Sequence, residues 1–333
     1  MLRTLVVVVS TALALVAAEI FLRVFAPVAY EQPPDRSDPT DWNCLIHQPS
    51  AVPGLEYEIA PNTRQSPTQT REGINRFGFR GREPGESGAA TRIVVLGDSF
   101  TYGLGVPARD TYPAALQRVL AQTPGVGPVD VLNLGVTAYS VYDEALVLAH
   151  KVAPLAPDLV IVGFVLNDPQ SGTGGEPLRV FYHDVRWWQH SHLLRLIAEA
   201  WRDLGVRRRG AGDPIRALYA PGGDWEKVPA TLESMRRTSR ELGVEVVFVV
   251  WPMIPEETWT DYAYAGIHEQ IDTAVRQAGF PVLDLRAALQ EYDPAQLRLA
   301  GDWHPTALGY EVGARAIRDF LVERQLLPKS AGG

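Results

Sequence analysis

The sequence predicts an α/β fold in which a parallel sheet of five strands is covered by helices on both faces. Five short apolar runs recur from residue 91 onward, at 92–96, 129–134, 158–166, 244–250 and 281–285. Segments with helical patterning separate or follow these runs, at 112–121, 141–152, 226–242, 264–277 and 307–326. Continuous apolar strands that alternate with helices are typical of a parallel sheet buried on both sides.

The N-terminal segment (1–28) is predicted to be an export signal that is either cleaved or kept as a membrane anchor. Its uncharged part, residues 5–18, is shorter than the roughly 20 residues that a spanning helix needs. Extension through Glu19 and Arg23 reaches that length, and their i,i+4 spacing lets the two charges pair on one helix face. Small residues before Ala18 also fit a cleavage site, which would give a secreted protein. We expect the rest of the chain to lie outside the cytoplasm, in the periplasm or at the cell surface, and four consecutive valines disfavour a buried cytosolic helix.

Residues 29–90 are predicted to be a proline-rich linker and extension. Eight prolines between residues 27 and 67 exclude a long helix and favour extended chain. Near the end of this region, Phe77 and Phe79 alternate with glycines in the segment 75–81, which indicates a turn anchored by aromatic side chains. We therefore expect this part of the extension to pack on the domain, whereas a disordered tether fits residues 31–41 better.

Charge and cysteine content exclude several classes of function. The chain has 31 basic and 39 acidic residues, a net charge of −8, which argues against a nucleic-acid partner. The single cysteine, Cys44, excludes an internal disulfide, a cysteine-based zinc site and thiol redox chemistry. His190 and His192 are spaced i,i+2 and do not face one metal on a helix. We expect no cofactor and no metal.

Polar residues with matching chemistry follow the predicted strands. Ser99 follows the first strand, Asn167 follows the third, and Asp302 and His304 lie near the C-terminal helix. Ligands bind at the carboxyl ends of such strands, so these side chains are expected to meet there. A serine needs an imidazole to take its proton, and the imidazole needs an acceptor on its other nitrogen. Gly135, after the second strand, would let a backbone N–H approach an oxyanion, and the Asn167 amide would add a second donor.

In these residues the chain resembles the SGNH/GDSL hydrolase superfamily. The matches are Gly97-Asp98-Ser99-Phe100-Thr101, Gly135, Asn167-Asp168 and His304-Pro305, in an order that covers about residues 91–325. The resemblance implies a three-layer flavodoxin-like domain over 91–326, with Ser99 as nucleophile and His304 as base. It also implies an oxyanion hole formed by the Ser99 N–H, the Gly135 N–H and the Asn167 amide. The N-terminal segment is similar to an exported, membrane-tethered branch.

Two positions depart from the family pattern. The family places its catalytic Asp three residues before the histidine, where this chain has Gly301, so Asp302 is the nearest candidate for the acid. A backbone carbonyl could hold His304 instead. The asparagine block is commonly Gly-x-Asn-Asp, whereas here Gly163 lies four residues before Asn167.

An insertion at about 169–223 is predicted to form a helical lid over the site. It contains Trp187 and Trp188 and an amphipathic stretch from 192 to 204. Because it directly follows Asn167, it is placed to roof the active site. The two tryptophans could equally grip a substrate or anchor the insertion. The arginines at 207–209 suggest a solvated face or a surface for an anionic glycan or phospholipid.

Three functions fit the sequence. The first is a serine-dependent hydrolase of an acyl ester, such as a small molecule, a lipid or an O-acetylated glycan, acting through an acyl-serine. The second is an O-acyltransferase that modifies a cell-envelope glycan, in which an acceptor hydroxyl replaces water. The third is a catalytically silent binding module of the envelope, which the complete serine, histidine and asparagine set disfavours. The sequence ranks the hydrolase first and does not define the oligomeric state.

Overall fold

The computed structural model describes residues 2–28, 46–61, 73–85, 91–170 and 187–327. Cys44, the tether at 31–41 and residues 171–186 of the insertion lie outside these ranges. The predictions made for them concern residues that are not described.

The core of the molecule is a five-stranded parallel sheet, which confirms the predicted fold class. Its order is β4-β3-β5-β6-β7, and a separate antiparallel pair, β1-β2, belongs to the N-terminal extension. The order corresponds to 2-1-3-4-5 within the domain, which is the flavodoxin-like arrangement. The strands are β1 His47–Pro49, β2 Tyr57–Ile59, β3 Thr91–Gly97, β4 Val129–Asn133, β5 Leu159–Val165, β6 Glu245–Trp251 and β7 Val282–Asp284.

Helices flank the sheet in two layers. Helix α3 packs against α11, and α4 packs against α7. Right-handed crossovers explain the two layers. The chain moves from β3 to β4 in one direction along the sheet and from β4 to β5, β6 and β7 in the other, so the helices of the later crossovers cover the opposite face. The helices are α1 Leu2–Phe25, α2 Ser99–Tyr102, α3 Tyr112–Ala121, α4 Val141–Lys151, α5 His192–Gly210, α6 Pro214–Tyr219, α7 Val228–Leu242, α8 Ala265–Gln277, α9 Arg286–Leu289, α10 Pro294–Leu297 and α11 Ala307–Glu323. Short 3₁₀ turns lie at 108–110, 153–155, 187–190 and 224–227.

Helix α1 stands apart from the core. It has 24 residues, none of which is buried, and it is long and apolar enough to cross a membrane. The absence of buried residues disagrees with the alternative of a buried cytosolic helix. Glu19 and Arg23 pair as their spacing predicts, with the Arg23 Nε 2.6 Å from the Glu19 carboxylate.

Two described parts of the N-terminal extension contact the domain. The Tyr57 hydroxyl of β2 donates a hydrogen bond of 2.7 Å to the Thr137 carbonyl, and the Tyr139 hydroxyl donates one of 2.6 Å to the Tyr57 carbonyl. The turn at 75–79 closes with the Asn75 N–H donating to the Phe79 carbonyl at 2.9 Å. The extension therefore lies beside the loop that follows β4.

The insertion between β5 and β6 is helical in its described part. Helix α5 packs against α6 and against the membrane-type helix α1. The sequence predicted an amphipathic stretch from 192 to 204, and the observed helix continues to Gly210. A lid role for this insertion stays a prediction, because residues 171–186, which follow Asn167 most closely, are not described.

Candidate active site

Ser99 begins helix α2 directly after strand β3. Asp98 caps this short helix, because its side chain accepts a hydrogen bond of 2.8 Å from the Phe100 N–H. Parallel strands point their carboxyl ends to one edge of the sheet, so the turn after β3 lies at that edge. The Ser99 side chain is half-buried, whereas Asp98 beneath it is buried.

Ser99, His304 and Asp302 form one chain of hydrogen bonds. The Ser99 Oγ lies 2.8 Å from the His304 Nε2, and the His304 Nδ1 lies 2.7 Å from the Asp302 Oδ1. The serine and the histidine are 205 residues apart in the sequence. The Asp302 carboxylate also accepts the backbone N–H of His304 at 3.2 Å, which fixes the carboxylate relative to the ring.

A tight turn explains why Asp302 reaches the ring although it is only two residues before it. The Asp302 N–H donates to the Leu299 carbonyl at 3.1 Å, and Gly301 inside this turn has a φ of +73°. That backbone conformation favours glycine, because a Cβ would be strained there. The Leu299 N–H then pairs with the His304 carbonyl at 2.9 Å. The glycine at the family's usual acid position therefore builds the turn that brings Asp302 to the histidine.

The electrostatics of the chain favour an ionised Asp302 and a less acidic Asp98. Partial burial alone would raise the pKa of Asp302, but the His304 charge and the hydrogen bonds from His304 and Trp303 hold it below its usual value. Asp98 is different, because complete burial raises its pKa to about 6 against the hydrogen bonds and the His304 charge that oppose the change. Its carboxylate lies 3.4 Å from the Ser99 Oγ. One carboxyl group thus stays charged beside the imidazole, and the other titrates below the serine.

The three predicted oxyanion donors do not occupy equivalent environments. The Asn167 amide lies in the loop after β5, is half-buried, and donates to the Asp98 carboxylate. The Gly135 N–H donates to the Asn133 Oδ1 at 2.9 Å and is committed inside its own loop. A Cβ on Gly135 would lie 2.2 Å from the Tyr102 nitrogen, so this glycine allows the loop to pack under helix α2. Its oxyanion role would require its hydrogen bond to Asn133 to break.

The carboxylates beneath the site hold its loops. The Asp168 carboxylate accepts the Val165 N–H at 2.7 Å, and the Asp168 carbonyl accepts the Val141 N–H at 3.1 Å. Burial raises the pKa of Asp168 well above its usual value, and the neighbouring charges of Glu144 and Asp98 add to this effect. Asp168 therefore closes the turn that carries Asn167 and ties it to the start of α4.

Sequence reasoning missed a buried guanidinium that supports the Ser99 helix. Arg80, from the extension, donates to the carbonyls of Tyr102 and Gly103 at 2.7 and 2.6 Å and to that of Val106 at 2.7 Å. Its guanidinium also lies 4.6 Å from the centroid of the Tyr102 ring. Cations near the C-terminal carbonyls of a helix stabilise it. The segment 75–81 gave a signal in its two phenylalanines, but no local pattern indicated that the arginine between the glycines would be buried.

Aromatic side chains surround the imidazole. The Phe100 ring lies 5.2 Å from the His304 ring and is buried, whereas Trp303 is 54% exposed with its ring 6.5 Å from the same imidazole. Trp303 is therefore an open aromatic surface beside the hydrogen-bond chain. The sequence placed this residue between two candidate catalytic residues without giving it a role.

Two of the other histidines, His192 and His268, have structural partners. His190 and His192 lie where α5 begins, and the His192 Nδ1 accepts the Val28 N–H at 3.1 Å. His268 is buried, with its Nδ1 3.0 Å from Asp284. Within the described ranges, no group of three or more histidine, cysteine or acidic side chains is placed to hold a metal ion.

Comparison with known proteins identifies the family. The GDSL-like Lipase/Acylhydrolase family matches residues 95–312, which is more than half of the chain and includes Ser99, Asn167 and His304. The chain belongs to this family. It is thereby placed among enzymes that hydrolyse ester bonds.

Solved structures that are similar to the chain include TesA, the alpha/beta hydrolase enzyme LAE5 and the acetylxylan esterase Axe2. TesA is 16% identical with a TM-score of 0.46, covering 71% of this chain and 100% of its own. LAE5, from the metagenome of Lake Arreo in Spain, is 21% identical with a TM-score of 0.45, covering 72% and 97%. Axe2, an acetylxylan esterase from Geobacillus stearothermophilus, is 18% identical with a TM-score of 0.45, covering 71% and 96%. No curated protein matches the chain.

Proposed function

We propose that this protein is a serine-dependent ester hydrolase that works through an acyl-Ser99 intermediate. The observation that carries the proposal is the continuous hydrogen-bond chain from the Ser99 Oγ through both ring nitrogens of His304 to Asp302. Such a chain supplies the base that a serine hydroxyl needs, and a partner that fixes the tautomer of that base.

Each residue of the chain has one step in the proposed reaction. His304 Nε2 takes the proton as the Ser99 Oγ attacks the ester carbonyl carbon, and ionised Asp302 stabilises the resulting imidazolium. Collapse of the tetrahedral intermediate breaks the bond to the alcohol, which receives the proton from His304. Water, deprotonated by His304, then attacks the acyl carbon. The bond from that carbon to the Ser99 Oγ breaks, the Oγ takes the proton back from His304, and the carboxylic acid is released. Asp98 supports this cycle by capping the helix that carries the nucleophile.

The oxyanion needs hydrogen-bond donors that are not already engaged. The Ser99 N–H and the second N–H of the Asn167 amide are two such donors in the proposal. For the third donor, the turn after Gly135 offers an alternative to Gly135 itself. Val136 closes this turn by accepting the Tyr139 N–H at 3.2 Å, and Ala138 within it has a φ of +61°. A non-glycine residue in that conformation is strained, and such strain often accompanies a functional loop. We assign the third donor to the Ala138 N–H.

The exposed face of Trp303 supports a substrate with a flat or apolar group next to the ester. An indole beside the base can stack on a sugar ring or pack on an acyl chain. An O-acetylated glycan or a lipid ester offers such a group, and one of the similar solved structures is named an acetylxylan esterase. The apolar helix α1 supports a site of action outside the cytoplasm, with the domain anchored to the membrane.

A labelling experiment tests the proposal. A fluorophosphonate probe should label the wild-type chain at Ser99, and Ser99→Ala should lose both the label and the hydrolysis of an aryl acetate while it keeps its melting temperature. Unchanged activity in Ser99→Ala would exclude this site as the source of the chemistry. Absence of any labelling would favour the silent binding module.

The same assay separates the hydrolase from the acyltransferase. The enzyme acylated by the aryl acetate is offered glycan acceptors, and the products are resolved as free acetate or acetylated glycan. We expect free acetate to predominate with and without acceptor. Transfer that exceeds hydrolysis would establish the acyltransferase instead.

A further inference from the structure

Helix α5 exposes a row of large apolar side chains. Trp201 is 69% exposed, and Leu196, Ile197 and Leu204 are 38–43% exposed. At 100° per residue these four positions fall within about 140° of the helix circumference, so they form one face. A contiguous exposed apolar face of this kind marks an interaction surface.

The start of α5 is held by the membrane-type helix α1. The Glu19 carboxylate accepts the N–H groups of Leu193 and His192 at 2.9 and 3.1 Å, and the Ser191 hydroxyl at 2.9 Å. The two N–H groups belong to the first turn of a 19-residue helix, where they have no acceptor within the helix and where a negative charge is favoured. Arg23 pairs with the same carboxylate.

Further hydrogen bonds join the end of α1 and the residues after it to the start of α5. The Arg23 guanidinium donates to the His190 carbonyl at 2.7 Å. The Arg195 guanidinium donates to the Val28 carbonyl at 3.0 Å, and the Val28 N–H donates to the His192 ring. The beginning of α5 therefore stays next to the C-terminal part of α1.

The length of α1 fixes the depth of this contact in a bilayer. Twenty-four residues at about 1.5 Å each span about 36 Å, slightly more than the roughly 30 Å of a hydrocarbon core. Glu19 lies six residues, about 9 Å, before the end at Phe25, so it lies a few ångströms inside the boundary between hydrocarbon and headgroups. A carboxylate at that depth is acceptable only when it is paired, as Glu19 is. The first turn of α5 consequently lies at the same boundary.

The opposite end of α5 carries positive charge. Arg207, Arg208 and Arg209 are exposed in its last turns, in a protein whose net charge is −8. Clustered arginines next to an apolar helix face attract anionic lipid headgroups. An apolar face and a basic end are the two parts of an interfacial helix.

We propose that α5 lies on the bilayer that α1 enters, with the face formed by Leu196, Ile197, Trp201 and Leu204 in the headgroup boundary. The arginines at 207–209 then contact lipid phosphates. The domain is then fixed to the bilayer both by α1 and by α5, which restricts its orientation relative to the membrane. This arrangement requires that α1 is not cleaved. The proposal does not depend on the ester chemistry, so either can fail without the other.

Fluorescence quenching in proteoliposomes tests the position of α5. The full-length chain with Cys44→Ser receives a single Trp201→Cys, is labelled with an environment-sensitive fluorophore, and is reconstituted into vesicles of phosphatidylcholine and phosphatidylglycerol in equal amounts. Val322→Cys on α11 is the control, because Val322 is also an exposed apolar helix residue and lies on a helix of the domain core. We expect a lipid-borne nitroxide placed near the headgroups to quench position 201 several-fold more than position 322, and aqueous iodide to do the reverse.

Two outcomes would overturn the proposal. Equal iodide quenching at positions 201 and 322 would place the α5 face in water. Protection of position 201 from both quenchers would show that a second copy or another protein covers this face instead of lipid.

A second variant tests the contact with α1. Glu19→Gln weakens the bonds to the start of α5 and should increase iodide quenching at position 201, whereas Glu199→Gln on α5 itself should not. The glutamine leaves Arg23 without its ion pair, but Arg23 lies two residues before the end of α1 and its long side chain reaches the headgroups, so we expect membrane insertion to be retained. Carbonate-resistant association checks this. Identical quenching in both variants would remove Glu19 as the group that positions α5.

Discussion

The molecule contains two histidine–aspartate pairs with similar geometry and different surroundings. In one, His304 lies 2.7 Å from Asp302 through Nδ1 and 2.8 Å from the Ser99 hydroxyl through Nε2. In the other, His268 lies 3.0 Å from Asp284 through Nδ1 and 3.3 Å from the Tyr262 hydroxyl through Nε2. Both are chains of hydroxyl, imidazole and carboxylate.

The difference between the pairs lies in the hydroxyl and in access. Ser99 starts a helix after a strand at the carboxyl edge of the sheet and is half-buried, whereas Tyr262 presents a phenol whose pKa burial raises well above its usual value. The first pair also has the Asn167 amide close by, because this amide donates to the Asp98 carboxylate that lies 3.4 Å from the Ser99 hydroxyl. We therefore expect ester chemistry at the first pair and not at the second, because a hydrogen-bonded triad also needs an accessible nucleophile and donors for the oxyanion.

Replacing each histidine gives the largest expected contrast. His304→Gln should lower kcat by about 10⁴-fold or more, because the serine loses its base. His268→Gln should leave kcat within a few-fold and lower the free energy of unfolding by about 1–3 kcal/mol, because a buried bond is lost. Aryl acetate kinetics and urea denaturation of both variants check this. A large loss of kcat in a folded His268→Gln variant would contradict the division of roles.

Replacing each aspartate sharpens the same comparison. Asp302→Asn should lower kcat by about 10²- to 10⁴-fold with little change in KM, since the tautomer of His304 is no longer fixed. Asp284→Asn, which removes the equivalent charge from the second pair, should leave kcat nearly unchanged. A loss below about tenfold in Asp302→Asn would show that another group, such as a carbonyl, orients His304.

Removal of the Asn167 amide tests the contribution of an oxyanion donor beside the first pair. Asn167→Ala should lower kcat by about 10²-fold, as expected for the loss of one oxyanion donor. KM should change little, because the donor acts on the transition state. Asn133→Ala is the comparison variant, because it removes the partner of the Gly135 N–H. Steady-state kinetics of the two variants show which of the two loops supplies an oxyanion donor. If Asn133→Ala increased kcat, the freed Gly135 N–H would be a donor after all.

The smallest effect concerns the pH dependence of stability. The pKa of Asp98 is raised to about 6 in the folded chain, so the folded state binds more protons than the unfolded state between about pH 4 and 6. This group's contribution to stability should therefore fall as pH rises through that window. Asp98→Asn should remove this slope in urea titrations, whereas Asp319→Asn at an exposed site should retain it. An unchanged slope in Asp98→Asn would assign the proton uptake to another group.

The sheet and most helices could be predicted from the sequence because a buried strand or helix face appears as an apolar pattern among neighbouring residues. The run at 92–96 became strand Thr91–Gly97, and the pattern at 112–121 became helix Tyr112–Ala121 without a shift. Strand ends then brought Ser99 and Asn167 to one edge by topology alone. Polar contacts between distant segments leave no such pattern in the neighbouring sequence. Arg80 bonds to the carbonyls that follow α2, and Glu19 bonds to the start of α5 as well as to Arg23. The spacing of Glu19 and Arg23 predicts their pair, but nothing near Arg80 or Glu19 in the sequence indicates the contacts with distant segments.

Backbone conformation set the remaining limit. The sequence marked Gly301 as a departure from the family pattern, but the positive φ that makes it a turn residue became visible only in the structure. Gly135 shows the converse, because a glycine at a strand end suggested an open donor and the structure instead packs it beneath α2. A glycine in a sequence does not reveal whether a turn, a ligand or a neighbouring backbone requires it.

The 205-residue separation between Ser99 and His304 has a consequence for how activity arises during synthesis. The proposed nucleophile emerges from the ribosome early, while its proposed base and acid follow together on one short turn near the end of the domain. Until that turn has folded against helix α2, the Ser99 hydroxyl has no imidazole beside it. We therefore expect the proposed chemistry to begin only when the domain is almost complete.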